Sequence, residues 1–172
     1  MKRIICALLL MVIMAFPAYA VDLSDYPDIF LQEVRIVIGK ASDAEDVVGA
    51  IDIMTSLQQR VGRSRRLTGA VLDTEVDDLK SMNSIVVGGP CINSAAAFLL
   101  NYPANCLEGF EPGKGMIKLY AFDNGKIALL AAGTMALDTR RVTSVLAHYA
   151  DYALSGTEMI IAGRTTDDIT VR

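Results

Sequence analysis

The chain has 172 residues, of which 52% are hydrophobic, and its 20 acidic residues outnumber its 16 basic ones, for a formal net charge of −4. This balance argues against nucleic-acid binding, because contacts to phosphate need concentrated positive charge. The absence of Trp and an aromatic content of 6% argue against a surface on which bases or sugars stack.

The first twenty residues have the pattern of a cleavable signal peptide. Two basic residues precede an apolar run from Ile4 to Phe16, and small residues follow at Ala18 and Ala20. The run is shorter than the roughly 20 residues of a bilayer-spanning helix, although an uncleaved membrane anchor is the alternative. We predict export and cleavage after residue 20. One domain, 21–172, then remains, with 14 basic and 20 acidic residues and a net charge of −6.

The first predicted elements of this domain are a strand and a long helix. Residues 34–39 (VRIVIG) are rich in β-branched side chains and predict a buried strand. A helix is predicted from a cap at Ser42, with Glu45 completing a capping box, to a stop near Gly62. Its apolar residues recur at helical spacing, as in a helix that packs one side on a core. They are Val47, Ile51, Met54, Leu57 and Val61.

Strands and helices alternate along the rest of the chain. Further strands are predicted at 69–74, 84–87, 116–120, 126–132, 158–162 and 169–171, and further helices at 95–100 and 138–154. Asn124-Gly125 between two apolar runs predicts a tight hairpin in which both residues have positive φ. The pattern indicates an α/β fold, with a mostly parallel sheet flanked by helices and an antiparallel hairpin at one edge.

Two cysteines remain after the predicted cleavage, Cys91 and Cys106. In an exported domain, two thiols are most simply interpreted as one disulfide. Two free thiols, or half of a metal site, are the alternatives. His148 is the only histidine, so a His-rich metal site is excluded.

Gly88-Gly89-Pro90 lies between a predicted strand and a predicted helix. Backbone amides and a helix dipole at such a position can hold an anion, which makes Gly88 and Gly89 a candidate anion-binding turn. The sequence has neither G-x-G-x-x-G nor the Lys-Ser/Thr of a P-loop. A tight turn, with Pro90 near the first helical position, is the other interpretation.

An acidic cluster follows the second predicted strand. Alternate carboxylates can bind calcium, which is the one cofactor considered, although no EF-hand pattern is complete and a solvated loop is the alternative. The cluster consists of Asp73, Glu75, Asp77 and Asp78.

The sequence contains no G-x-S-x-G motif of a serine hydrolase. Cys91 could act as a nucleophile with His148, but this interpretation competes with a disulfide that uses the same cysteine. We therefore predict no enzymatic activity.

Three segments together resemble the archaeal surface-layer (S-layer) protein family. They are 84–93 (SIVVGGPCIN), 105–114 (NCLEGFEPGK) and 138–141 (DTRR), and the likeness extends from about Arg35 to Val171. The resemblance implies an exported, non-enzymatic protein with Cys91 and Cys106 as the paired cysteines of the family. S-layer lattice proteins are several times longer, so the chain resembles one module.

The resemblance implies that this module associates with itself or with other S-layer proteins at the cell surface. No stretch after residue 20 is long and apolar enough to predict a membrane span. A secreted module that binds a small molecule or an anion is the alternative function.

Overall fold

The computed structural model describes residues 21–63, 65–67, 69–166 and 168–172, so the predicted signal peptide lies outside the described residues. Its helices are α1 (Ala44–Val61), α2 (Ser94–Leu99) and α3 (Ala136–Ala147). Its strands are β1 (Arg35–Ile38), β2 (Ala70–Leu72), β3 (Ser84–Val87), β4 (Lys114–Ala121), β5 (Ile127–Gly133), β6 (Glu158–Gly163) and β7 (Ile169–Val171). None of the helices in these ranges has the length and hydropathy of a membrane span.

All the described strands join one seven-stranded sheet in the order β2-β1-β3-β5-β4-β6-β7. The four strands β2, β1, β3 and β5 are parallel, and β4, β6 and β7 are antiparallel to their neighbours. The α/β class and the parallel part of the sheet are as predicted. The β4–β5 hairpin is present but lies inside the sheet, because β6 and β7 add on beyond β4.

The turn of this hairpin differs from the prediction. Gly125 has a φ of 80°, whereas Asn124 is not among the residues with positive φ. Asn124 Oδ1 accepts a hydrogen bond from the Lys126 amide at 3.0 Å, and Asn124 Nδ2 donates to the Lys80 carbonyl at 2.8 Å. The Asn side chain therefore supports the turn through hydrogen bonds, and only the glycine takes the left-handed conformation.

Side chains alternate between the two faces of the sheet, one of which packs against α1 and α3 and the other against the short α2. Ile36 and Ile85 point into a core that includes α1 and α3. Their neighbours Val37 and Val86 point into a second core that includes α2. Strands buried on both sides in this way read as continuous apolar runs, which is why the sequence predicted buried strands at 34–39 and 84–87.

The predicted core-facing stripe of α1 is correct in its second half, where Leu57 is buried and Met54 and Val61 pack against the core, but wrong in its first half. Val47 is 39% exposed and Ile51 is 57% exposed, although both belong to the predicted core-facing stripe. The buried residues of α1 are Asp46, Gly49, Ala50, Ile53 and Leu57. The phase is set by α3, because a Cβ added to Gly49 would lie 2.2 Å from Thr143 Oγ1. Only a residue without a side chain fits that contact.

Two predicted helix ends are wrong, the start of α1 and the end of α3, whereas the start of α2 agrees to within one residue. Asp43, not Ser42, is the N-cap of α1, and no capping-box hydrogen bond forms there. The helix α2 begins at Ser94, where the Asn93 side chain caps it, so Pro90 is not near its first position as the tight-turn interpretation had it. The helix α3 ends at Ala147 rather than at Leu154, and a turn follows that brings Tyr149 edge-on to Tyr26, with 5.5 Å between ring centroids.

Candidate functional site

The carboxyl ends of β1, β3 and β5 lie side by side at one edge of the sheet. The loop after β1 leads to α1 on one face, and the loop after β3 leads to α2 on the other face. Open α/β sheets bind ligands in the crevice where neighbouring connections diverge in this way. The edge between β1 and β3 is therefore the position to examine for a binding or catalytic site.

The protein itself fills this crevice. Asn93 Nδ2 donates to the carbonyls of Val37 and Val87 at 3.3 and 2.9 Å, which bridges β1 and β3. Asn93 is only 1% exposed. A Cβ added to Gly39 would lie 2.2 Å from the Ile92 carbonyl oxygen, so the two loops are in contact. A ligand would have to displace these contacts to enter between the strands.

The Gly88-Gly89 turn uses its backbone groups internally. Gly88, with a φ of 104°, donates its N–H to the Ala131 carbonyl at 3.0 Å. The Gly89 carbonyl accepts from the amides of Ile92 and Asn93, both at 3.1 Å. These contacts are those of a tight turn, and the anion-binding role of Gly88 and Gly89 stays a prediction.

The first amides of α2 are also occupied by side chains of the protein. Asn93 Oδ1 accepts from the amides of Ala95 and Ala96, and Asp73 Oδ2 accepts from the amide of Ser94 at 2.8 Å. An anion at this helix start would compete with a carboxylate and an amide oxygen that already hold the positions.

Asp46 is a buried carboxyl group that sequence reasoning missed. It lies in the first turn of α1 with an exposed fraction of 0%, and neither of its oxygens has a hydrogen-bond partner within normal distance and angle. The Ser42 and Thr139 hydroxyls and the backbone N–H of Asp43 lie beside it. Burial is the main cause that raises the pKa of Asp46 to about 6, and the negative charge of Asp43 adds to it.

The position of Asp46 under the Gly88 turn bears on anion binding. A Cβ added to Gly88 would lie 3.5 Å from Asp46 Oδ2 and 3.5 Å from Ser42 Oγ. An ionised Asp46 would repel an anion held by this turn. The sequence signal for Asp46 is a polar residue in the buried phase of α1, and it becomes visible only when that phase is known.

Three residues of the acidic cluster, Asp73, Asp77 and Asp78, line one cavity beside the start of α2, and Glu75 does not. Asp73 accepts hydrogen bonds from the amides of Lys40 and Ser94, both at 2.8 Å, and from Ser94 Oγ at 2.9 Å. Burial opposes ionisation of Asp73, but these hydrogen bonds outweigh it and lower its pKa. Asp73 therefore ties the loop after β1 to the start of α2.

The other three carboxylates of the cluster have local roles or face solvent. Glu75 accepts from the Leu72 amide at 2.9 Å, Asp78 accepts from the Lys80 amide at 3.0 Å, and Asp77 is exposed. Within the described ranges, no three His, Cys, Asp or Glu side chains are grouped as a metal site. Calcium binding by the cluster stays a prediction.

The predicted disulfide is present between Cys91 and Cys106. It fastens the long loop ahead of β4 to the turn that precedes α2. Cys91 has no free thiol in this state. His148 is exposed at the carboxyl end of α3, which lies toward the other end of the sheet, so the structure does not assemble a Cys91–His148 pair.

Two arginines connect α3 to its surroundings. Arg141 is 2% exposed and donates both to Asp138 and, at 3.0 Å, to the Gly113 carbonyl. Arg140 forms an ion pair with Asp52 of α1 at 2.5 Å. Breaking a buried pair by removing one partner leaves an uncompensated charge, which is strongly destabilising. Both arginines therefore have structural partners.

A comparison with protein-family models and one with curated proteins both give no match to this chain. The resemblance to S-layer proteins therefore stays a prediction from the three motif segments named above.

Proposed function

We propose that this protein is an exported, non-catalytic module of the cell surface, with a structural or assembly role related to S-layers. The observation that carries the proposal is the disulfide between Cys91 and Cys106. It joins two of the three segments that resemble the family, at the two cysteines that the resemblance implies are paired. A structural disulfide is also typical of proteins outside the reducing cytoplasm.

The third segment contacts the second. Arg141, in 138–141, donates a hydrogen bond to the carbonyl of Gly113, in 105–114. The segments 84–93, 105–114 and 138–141 are therefore linked into one unit by a disulfide and by a buried arginine. Residues that are far apart in sequence but joined by such contacts support a shared structural role.

The polar side chains of this unit also support a structural role. Asn93 bridges two strands, Asp73 joins two loops, and Asp138 pairs with Arg141 while accepting from the Met135 amide at 3.0 Å. Groups that are held in place by the fold in this way contribute rigidity. Such a rigid module is suited to bearing contacts with other molecules.

The proposal is tested by locating the protein in a cell that exports it. We expect a mature N-terminus at Val21, retention on the cell surface, and release by agents that dissolve surface layers. The matched control is a chain with Lys2→Glu and Arg3→Glu, which lacks the basic start of the predicted signal and should stay inside. A mature protein that remains free in the medium and monomeric under all ionic conditions would contradict the proposal.

A further inference from the structure

The strand β2 forms an open edge of the sheet. It pairs with β1 on one side, and no other described strand lies beyond it. Its Leu72 amide donates to Glu75 Oε2 at 2.9 Å rather than to β1, which indicates that position 72 faces outward. Leu72 is also 41% exposed. An open edge is a template for pairing with another strand, and at this edge pairing would take the Leu72 amide from Glu75.

Val47 and Ile51 form an exposed apolar stripe on one side of α1. The half-buried Met54 and Gln58 continue the same side of the helix at the helical period. The Gln58 side chain bonds to the Arg65 carbonyl at 2.8 Å and to the Leu67 amide at 3.0 Å, so this side faces the segment that leads into β2. The stripe is exposed because none of the described residues lies beyond β2 to cover it.

The opposite side of α1 faces α3. Asp52 pairs with Arg140, and Ser56 Oγ donates to the Ala147 carbonyl at 2.7 Å. The exposed apolar stripe is therefore on the side of α1 away from its helical neighbour, toward the open edge of the sheet. Leu72 is in register with Ile38, so its exposed side chain points to the face of the sheet that carries α1.

Charges of opposite sign flank β2. Arg63, Arg65 and Arg66 precede it, and all three are exposed with no carboxylate within ion-pair distance in the part of the chain that the structure describes. Glu75 and Asp77 follow it, exposed and likewise without a basic partner among the described residues. An edge that is positive at its start and negative at its end is complementary to itself when the second strand runs antiparallel.

We propose that two copies of this chain pair antiparallel through their β2 edges, about a two-fold axis near Val71. The two sheets then become continuous, and the α1 stripes of both copies, including Ile51, pack against each other on the same face. Arg65 and Arg66 of each copy lie opposite Glu75 and Asp77 of the other. The inference rests on the proposed function, since it names a second copy as the partner of the module.

This contact is isologous and closes at two copies. Growth of a larger assembly would use a different surface. The β2 pair would then be the building block rather than the lattice contact.

A charge exchange tests the proposal on the exported protein, purified with its disulfide intact. One variant carries Arg65→Glu and Arg66→Glu, and the other carries Glu75→Lys and Asp77→Lys. We expect the unmodified protein to dimerise in analytical ultracentrifugation, and each variant alone to dissociate at least tenfold more readily, because like charges then face each other. A 1:1 mixture of the two variants should recover the dimer.

The apolar part of the contact has a matched control. Ile51→Lys should weaken the dimer at least tenfold, whereas Leu137→Lys should leave it unchanged, since Leu137 is similarly exposed, at 46%, but lies at the start of α3. Circular dichroism establishes that each variant is folded. Loss of the dimer in both lysine variants would overturn the assignment to the α1 stripe.

The remaining outcomes separate this inference from the proposed function. A dimer that is unaffected by either charge variant, or that the mixture fails to restore, overturns the β2 pairing. A monomer at every concentration overturns it as well. In each of these cases the proposed function still depends on surface retention of the exported protein. Conversely, a charge-dependent dimer that is never retained at the cell surface supports the pairing and refutes the surface role.

Discussion

The replacement Asp46→Asn tests the effect of a buried carboxyl group on the stability of the protein. Asp46 is fully buried and its pKa is raised from 3.8 to about 6. The folded state therefore binds a proton more tightly than the unfolded state does. The stability that this proton contributes is complete below pH 4 and is lost as the pH rises through 6. Asparagine keeps the shape of the side chain but cannot ionise.

The size of the effect follows from the shift. One pKa unit corresponds to about 1.4 kcal/mol, so a shift of this size corresponds to as much as about 3 kcal/mol between the protonated and ionised forms. We expect Asp46→Asn to gain about 2–3 kcal/mol of unfolding free energy relative to the unmodified protein between pH 4 and pH 7.5. At pH 7.5 Asp46 of the unmodified protein is ionised, so its effect on the free energy of unfolding is largest there.

Urea denaturation of both proteins at pH 4, 5, 6 and 7.5, with the disulfide intact, measures this difference. Effects of other carboxylates, such as Asp73, cancel between the two proteins. Asp43→Asn is the matched control, because it removes only the nearby negative charge and should lower the pKa of Asp46 slightly. A difference between Asp46→Asn and the unmodified protein that does not change with pH would refute the reasoning.

Three further predictions concern the contacts that hold the fold together, each measured as the free energy of unfolding in urea. Replacing both Cys91 and Cys106 with Ser should cost about 3 kcal/mol, because the disulfide spans a sequence separation of 15 residues, and an unchanged midpoint would contradict this. Asn93→Ala should cost about 1–3 kcal/mol, because it leaves buried carbonyl and amide groups unpaired; a near-neutral result would mean that water replaces the side chain. Gly49→Val should cost about 1–3 kcal/mol through its clash with Thr143, and adding Thr143→Ala should recover part of the loss.

Part of the candidate site could be predicted from the sequence, because the residues that indicate it are neighbours in the chain. The Gly88-Gly89 turn follows an apolar strand, and the structure has a turn there. The function of this turn could not be predicted from the sequence, because its backbone forms hydrogen bonds with β5 and with the residues ahead of α2. Which donors remain free for a ligand depends on those non-local partners.

For Asp46 too, the sequence shows its local position but not its surroundings in the fold. Its place near the start of a helix is evident from the sequence, and an acidic residue in a first turn is ordinary there because of the helix dipole. Its complete burial depends on the loop at Gly88 and on Thr139 of α3, which come from distant parts of the chain. No sequence pattern around residue 46 predicts which groups enclose its side chain.

The sequence by itself determined the alternation of strands and helices, the hairpin at Gly125 and the expectation of a disulfide, because β-branched runs, turn residues and paired cysteines act locally or by composition. Only the tertiary structure decided the strand order, the ending of α3 and the phase of α1. The apolar stripe at Val47 and Ile51 is a regular helical signal, but the close contact of Gly49 with Thr143 turns a different side of the helix to the core. Packing between distant segments selects which side is buried, since hydrophobic periodicity shows that a helix has an apolar side without showing what covers it.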